Sequence, residues 1–296
     1  MIYRIRHRTV YDYTEPVTIS HHAARLRPRT TAAQEERGWS LKVTPTPAVD
    51  SGRRDFFGNA VSFFTVQQLH SRLDIVSESE VVLQPGAVPD LDRSPPWEFV
   101  AESLRRPVAA EEFEAQQFTF ESPHVRPSRE LAAYAAPSFV PGRPVLAAMK
   151  DLNRRIFKEF TFDPAATTVA TPLEEVLRAR RGVCQDFTHL ALGCVRSLGL
   201  AARYVSGYLR TYREKNEVGL VGADASHAWL SVFSPEVGWV DFDPTNNLLP
   251  RLEHITVAYG RDFAEVSPVS GIIVGGGEHR VNVAVKVEVL DPAAVP

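Results

Sequence analysis

Sulfur is scarce in this chain: its 296 residues include two cysteines and two methionines. Cys184 and Cys194 give no disulfide framework, and their spacing fits no zinc pattern. Charge of one sign is also missing. The 33 Lys and Arg nearly balance the 36 Asp and Glu, leaving a net charge of −3, which argues against a polyanionic partner such as nucleic acid. The one basic cluster, Arg25-Leu26-Arg27-Pro28-Arg29, reads as a solvated face. No apolar run reaches about 18 residues, and Met1 to Arg8 contains no apolar segment of the signal-peptide kind. These absences predict a cytoplasmic protein with no membrane partner, its thiols kept reduced. No oxygen-rich calcium loop and no Cys/His cluster occurs, so no metal or other cofactor is expected. His21 and His22 would point to opposite sides of a strand and share no ligand.

The chain is organised around Arg180-Arg181-Gly182-Val183-Cys184-Gln185-Asp186-Phe187-Thr188-His189-Leu190. From Phe187 the apolar positions 187, 190, 191, 194, 195 and 198 follow the spacing of a helix with one buried face, stopped by Gly199. Cys184 falls just ahead of that stripe, where unpaired N–H groups and the positive end of the helix dipole favour an anion and therefore a thiolate. That makes it a candidate nucleophile, weighed against the commoner role of a lone cysteine as a small buried hydrophobe. Cys194 lies on the stripe and reads as filler. His189 is off the Cys184 face and reads as a polar rim residue.

Downstream, Ala225 to Phe233 alternates like a strand, and Trp239 to Asp243 is a second strand-like run ended by Pro244. The short Pro/Gly connection makes them antiparallel neighbours, which would place His227 within reach of an acid on the next strand. Asp241 and Asp243 point to the same side and are both candidates. A cysteine at a helix start with a histidine and an acid from a sheet supplies a nucleophile, a base and an orienting group.

The blocks Gly182 to Phe187, Ala202 to Tyr208, Asp224 to Trp229, and Gly238-Trp239 with Phe242-Asp243-Pro244-Thr245-Asn246-Asn247 together resemble the core of the bacterial transglutaminase-like superfamily, with its Cys, His, Asp order. Tyr3-Arg4-Ile5-Arg6-His7 with Tyr11-Asp12-Tyr13 is similar to the β domain that often precedes that core in bacteria. The resemblance implies a papain-like triad of Cys184, His227 and Asp243, and favours Asp243 over Asp241 as the acid. Animal transglutaminases add an indole upstream of the cysteine, whereas no tryptophan lies between Trp97 and Trp229 here. The backbone N–H of Cys184 is the natural oxyanion donor. Trp229 and Trp239 read as core packing.

Taken in order, the chain predicts an α+β protein, in which an amino-terminal antiparallel β-sandwich precedes a core whose Cys-bearing helix packs on an antiparallel sheet. Residues 1–85 form the β domain, with strands over Tyr3 to Tyr13, Val17 to Leu26, Trp39 to Thr46, Val61 to Leu69 and Leu73 to Leu83. Arg54 to Asn59 is a hairpin turn with Gly58 and Asn59 at positive φ. Residues 86–144 are a proline-rich connection with short helices. Residues 145–262 are the catalytic core, opening with a helix over Val145 to Phe160 and then a capping box, Thr171-Pro172-Leu173-Glu174, with proline at the first helical position. Ala202 to Leu209 is a strand, and Arg210 to Gly222 a polar loop bordering the cleft. Residues 263–296 carry a valine-rich strand from Arg280 to Leu290 that returns to the amino-terminal sheet.

These parts specify thioester chemistry on a peptide, protein or amide substrate: Cys184 attacks the carbonyl, and His227 takes and returns the proton. Water as acceptor makes a peptidase or amidase, and an amine makes a cross-linking transglutaminase. Two other classes fit the composition: a metal hydrolase ligated by Cys184, His227 and Asp243, and a binding module with a silent triad.

Overall fold

A computed structural model describes residues 1–210 and 226–290. Most of the loop expected from Arg210 to Gly222, and Asp224 and Ala225, lie outside these residues. The amino-terminal strands are β1 (Ile2–Ala24), β2 (Gln34–Thr44), β3 (Val49–Arg54), β4 (Ala60–Val66) and β5 (His70–Leu83). Helices α1 (Trp97–Arg105), α2 (Ala110–Gln116), α3 (Arg129–Ala135) and α4 (Val145–Glu159) follow, then the short strand β6 (Thr161–Phe162) and helix α5 (Leu173–Ala179). The site elements are β7 (Arg181–Gly182), α6 (Cys184–Ser197), β8 (Ala202–Leu209), β9 (His227–Ser234) and β10 (Gly238–Phe242). The chain continues with β11 (His254–Gly260), α7 (Phe263–Val266), β12 (Val269–Gly275) and β13 (His279–Val289).

Two strands expected at 3–13 and 17–26 are one strand, β1, whose pairing with β5 slips between Asp12 and Val17. Pro16 and the local irregularity bend the strand without ending it. Its first half runs between β5 and β13, and its second half between β4 and β12. The antiparallel character expected of this region is therefore present, in one seven-stranded hydrogen-bonded sheet. Tyr13, Val17, Phe64, Val66, Leu73 and Ile75 share one buried cluster with Leu41, Val43 and Ile273, so the sheet curls about its own core in sandwich fashion. Burying each such aliphatic side chain contributes about 1.5–3 kcal/mol. The returning valine strand pairs along β1 from Tyr3↔Val289 to Tyr13↔His279, and β12 adds a further strand that the sequence pattern does not reveal.

Elsewhere the local expectations hold with three corrections. β2 begins at Gln34, ahead of the aromatic run that marks it, and β3 pairs with β4 across the turn at 55–59. Gly58 adopts φ 76°, but Asn59 does not lie at positive φ; it is fully buried and its amide bonds the backbone of Tyr259. The capping box at Thr171 does not form. Pro172 is itself the residue ahead of α5, and the Thr171 hydroxyl accepts from the Thr168 N–H instead. Helix α5 ends at Arg180 in the left-handed conformation, φ 54°, with its guanidinium over the rings of Tyr134 and Phe160.

The core sheet, in the order β10-β9-β8-β11, carries α6, with α3, α4 and α5 around that helix. No helix among the described residues is long and apolar enough to cross a membrane. Gly207 on β8, opposite His227, marks the tightest approach: a Cβ there would sit 2.1 Å from the Ile255 carbonyl oxygen and 2.4 Å from the Trp229 ring. We expect Gly207→Ala to lower stability by about 1–3 kcal/mol through overpacking, read as a lower urea midpoint; an unchanged midpoint would contradict the packing of Trp229 under β8.

Candidate active site

The turn into α6 is built by one close approach. Asp186, buried on the first turn of the helix, accepts a hydrogen bond from the Val183 N–H at 2.8 Å and another from the Thr167 hydroxyl at 2.6 Å. The carboxylate crowds Gly182, where a Cβ would lie 2.6 Å from Asp186 Oδ2. Only glycine fits ahead of Val183, and the two bonds lock the chain so that Cys184 becomes the first residue of α6. Cys184 is half-buried and reduced. Its N–H belongs to the first helical turn, whose donors have no acceptor within the helix.

The β9–β10 hairpin supplies the other two groups. His227 opens β9, and Asp243 follows β10 in a tight loop closed by paired backbone bonds with Leu248 at 2.9 and 3.2 Å. The two side chains are fully buried, and the His227 Nε2–H donates to Asp243 Oδ2 at 2.8 Å. The same oxygen accepts from His254 Nε2 at 3.0 Å and from the Asn246 carboxamide at 2.8 Å, while Oδ1 accepts the N–H groups of Thr245 at 2.9 Å and Asn246 at 3.2 Å. A carboxylate with five donors is held ionised: burial alone would raise the Asp243 pKa, but His227 and His254 outweigh it and the pKa is lowered. Burial likewise opposes a charged His227, yet Asp243 first and the Cys184 thiol second raise its pKa to about 10. Because Nε2 is engaged, Nδ1 is the free nitrogen; it is buried with no hydrogen-bond partner among the described residues, and Cys184 lies close enough to act on the ring's charge.

Comparison with known proteins now bears on this geometry. Residues 133–244 match the family described as transglutaminase-like superfamily, and residues 3–82 the bacterial transglutaminase-like N-terminal region. Uncharacterized protein Rv2569c of Mycobacterium tuberculosis is 40% identical over 286 residues, covering 94% of this chain and 90% of its own length. The chain belongs to the transglutaminase-like superfamily. Uncharacterized protein ML0607 of Mycobacterium leprae is 32% identical over 286 residues, covering 96% of this chain and 97% of its own. A protein-glutamine gamma-glutamyltransferase of Pseudomonas aeruginosa is 31% identical over 110 residues, covering 36% of this chain and 16% of its own length. The solved structure of a candidate cysteine protease from Cytophaga hutchinsonii has the same fold, with TM-score 0.78 and 21% identity, covering all of this chain and 93% of that one. The α+β arrangement expected from the sequence is that of the superfamily.

Of the two acids, Asp243 bonds His227, whereas Asp241 accepts from the Trp229 indole N–H at 3.0 Å. Trp229 is fully buried and Trp239 packs on the core, as expected of both. His189 is a correction. It is buried, its Nε2 accepts from the Phe263 N–H at 3.1 Å, and burial drives its pKa down to about 3. It therefore fastens α7 to α6 and is no rim residue. His254, Asn246 and Asp186 are the site residues that sequence reasoning passed over as such. His254 opens β11, 11 residues past Asp243, and no spacing rule points to it. Asp186 could have been found, since an acid three residues past a helix-start position is a capping signal. The group that could hold a metal ion among the described residues is His227, Asp243 and His254, with ligand atoms within 4.8 Å of one another. Cys184 is not part of it, so the ligand set considered from sequence does not assemble.

Cys194 is fully buried, and burial pushes its thiol up to about 12. Iodoacetamide added to the folded protein should therefore modify Cys184 and spare Cys194, with Cys194 labelled only after unfolding in guanidinium; peptide mapping showing both modified equally under native conditions would contradict the placement of these thiols.

Proposed function

We propose that the chain is a thiol-dependent amide or peptide bond hydrolase or acyltransferase acting through a thioester on Cys184. The observation that carries this reading is the state of the His227 ring: Asp243 fixes Nε2, Nδ1 has no other partner among the described residues, and Cys184 is near enough to raise the ring's pKa. His227 Nδ1 holds the proton that Cys184 has given up, and the Cys184 thiolate attacks the carbonyl carbon of a peptide or carboxamide. The carbonyl π pair moves to oxygen, where the Cys184 N–H at the start of α6 faces the developing charge. Collapse of that adduct breaks the C–N bond, His227 passes its proton to the departing amine, and a thioester remains. Water resolves the thioester to an acid, and a primary amine resolves it to a new amide, His227 again accepting the nucleophile's proton. The Pseudomonas relative is named for the second outcome.

Within this reading residues 145–262 are the catalytic core, residues 1–85 are the β domain connected to it through 86–144, and the segment 263–296 contributes β12 and β13 to the sheet of that domain. The substrate is a peptide, protein or amide, and the reaction belongs in a reducing, cytoplasmic setting where Cys184 stays a free thiol.

Mass spectrometry of glutamine-containing peptides incubated with the protein, with and without a primary amine, separates cleavage, deamidation and amine incorporation. One of these products is expected from the wild-type chain and none from Cys184→Ala. For the best substrate, Asp243→Asn should lower kcat by about 10⁴-fold by allowing the wrong His227 tautomer. Asp241→Asn, which disturbs the Trp229 contact, should cost no more than about tenfold. Unmodified peptides under every condition would leave the fold standing as a silent binding module and sink the enzymatic reading.

A further inference from the structure

A cavity of about 780 Å³ lies along the outer part of the core sheet, between it and the amino-terminal sheet. Its floor comes from β8, β10 and β11, and its opposite wall from residues 31–34, 83–84 and 86–90. Cys184, His227 and Asp243 do not line it, and His254, which bonds Asp243, is where the two regions meet. The size is that of a small-molecule site.

The principal charged group in its floor is Arg203, and the register of the sheet explains its surroundings. Arg203 and Asp241 both pair with Ser231, so they share one face, and Trp239, paired with Phe233, lies on that face as well. Tyr259 reaches it because the β11–β8 register shifts between Thr256 and Ala258. Without that bulge, Tyr259 would point to the other side. The guanidinium consequently sits between two rings, 4.3 Å from the Trp239 centroid and 3.7 Å from that of Tyr259.

Rings on both sides stabilise the cation but accept none of its in-plane hydrogen bonds. Arg203 Nε is buried and has no hydrogen-bond partner, and no carboxylate oxygen lies within 4.0 Å of the guanidinium among the described residues. Asp241 does act on its charge, after burial and Tyr259. It is, however, the acceptor of the Trp229 indole. A partly buried guanidinium carries a desolvation cost that a carboxylate normally offsets, and an arginine remains protonated under any ordinary condition. Among the described residues the guanidinium thus has no carboxylate in contact, and its Nε–H has no acceptor beside the open space of the cavity.

The walls are fixed before any ligand arrives. Gln34 is buried and bonds both the N–H and the carbonyl of Thr256, at 2.8 and 2.7 Å. Asn59 bonds both backbone groups of Tyr259, and the Arg29 guanidinium covers the Tyr259 ring at 4.4 Å. Holding both walls in place reduces the ordering cost of binding.

We propose that this cavity is a binding site, separate from the Cys184 site, for a small anion whose carboxylate or phosphate oxygens take the in-plane N–H groups of Arg203. The planar fork of a guanidinium suits two oxygens of one oxyanion. Asp90, Glu236 and Asp241 also border the cavity, and Arg203, Arg93 and Arg251 match them three to three. Arg251 also donates to the Gly86 carbonyl at 3.4 Å. The balance admits an anion of low charge and disfavours a polyanion.

Calorimetric titration of the full chain in chloride buffer with inorganic phosphate, and separately with glutarate, tests this without reference to catalysis. Saturable one-to-one binding of at least one probe is expected, with a dissociation constant of about 1 mM or tighter; which probe binds distinguishes phosphate from carboxylate recognition. Arg203→Lys keeps the charge but loses the fork and should weaken binding about tenfold or more. Ala33→Trp fills the cavity from its exposed wall while leaving Arg203 in place, and should abolish binding with an unchanged melting temperature. Heats no greater than dilution for both probes, or binding undiminished in either folded variant, would overturn the proposal.

Discussion

The arrangement depends on one carboxylate. Asp243 is closed off from solvent and receives five hydrogen bonds: from two imidazoles, one carboxamide and two backbone N–H groups. An ionised carboxyl in such a place would be costly if any of these donors were missing. Because it is satisfied, it stays charged and makes His227 a stronger base at the same time. The fold around it follows from keeping the donors convergent. β9 brings His227, β11 brings His254, and the loop after β10 turns its own N–H groups back on the acid. The Asn153 carboxamide on α4 bonds the Asp243 carbonyl at 3.1 Å and fastens that loop to the helical layer.

The Cys184 side of the site uses a similar device. Asp186 holds the α6 entry through the Val183 N–H and Thr167, with Gly182 leaving the space it needs. Two buried carboxylates thus position two chemical groups from different elements. This is what a reaction requiring alignment within a few tenths of an ångström calls for. His227 also has a stability role with a definite sign. Its raised pKa means that the folded state binds the proton more tightly than the unfolded chain, so the contribution is complete below about pH 6.5 and is lost as pH rises toward 10. The lowered Asp243 pKa acts the other way, its contribution being lost as pH falls below the ordinary carboxylate range.

Much of this was legible in the residues. The apolar period after Phe187, the alternation in residues 225–233 and the run ending at Pro244 located α6, β9 and β10, and the order of Cys184, His227 and Asp243 within recognisable blocks pointed to the superfamily. The helix over 145–159 was equally plain. What could not be read were contacts set by strand pairing and register rather than by local spacing. His254 meets Asp243 only because β11 lies beside β8, and Tyr259 reaches Arg203 only because of a bulge. Local rules also failed where tertiary contacts decided the backbone: Asn59 is spent on Tyr259 and does not take positive φ, the Thr171 hydroxyl turns back to Thr168, and β1 runs through Pro16 because partners on both sides hold it.

The central claim is that buried Asp243, acting with Cys184, holds a proton on His227 well beyond the range of an ordinary histidine. NMR titration of the full chain with isotope-labelled histidine, with the His227 resonance assigned by its loss in His227→Gln, measures this directly. The account predicts a midpoint far above 6.5, approaching about 10, and a marked fall in that midpoint in Asp243→Asn but not in Asp241→Asn. A wild-type midpoint at or below 6.5, or one that moves with Asp241 and not with Asp243, would contradict it.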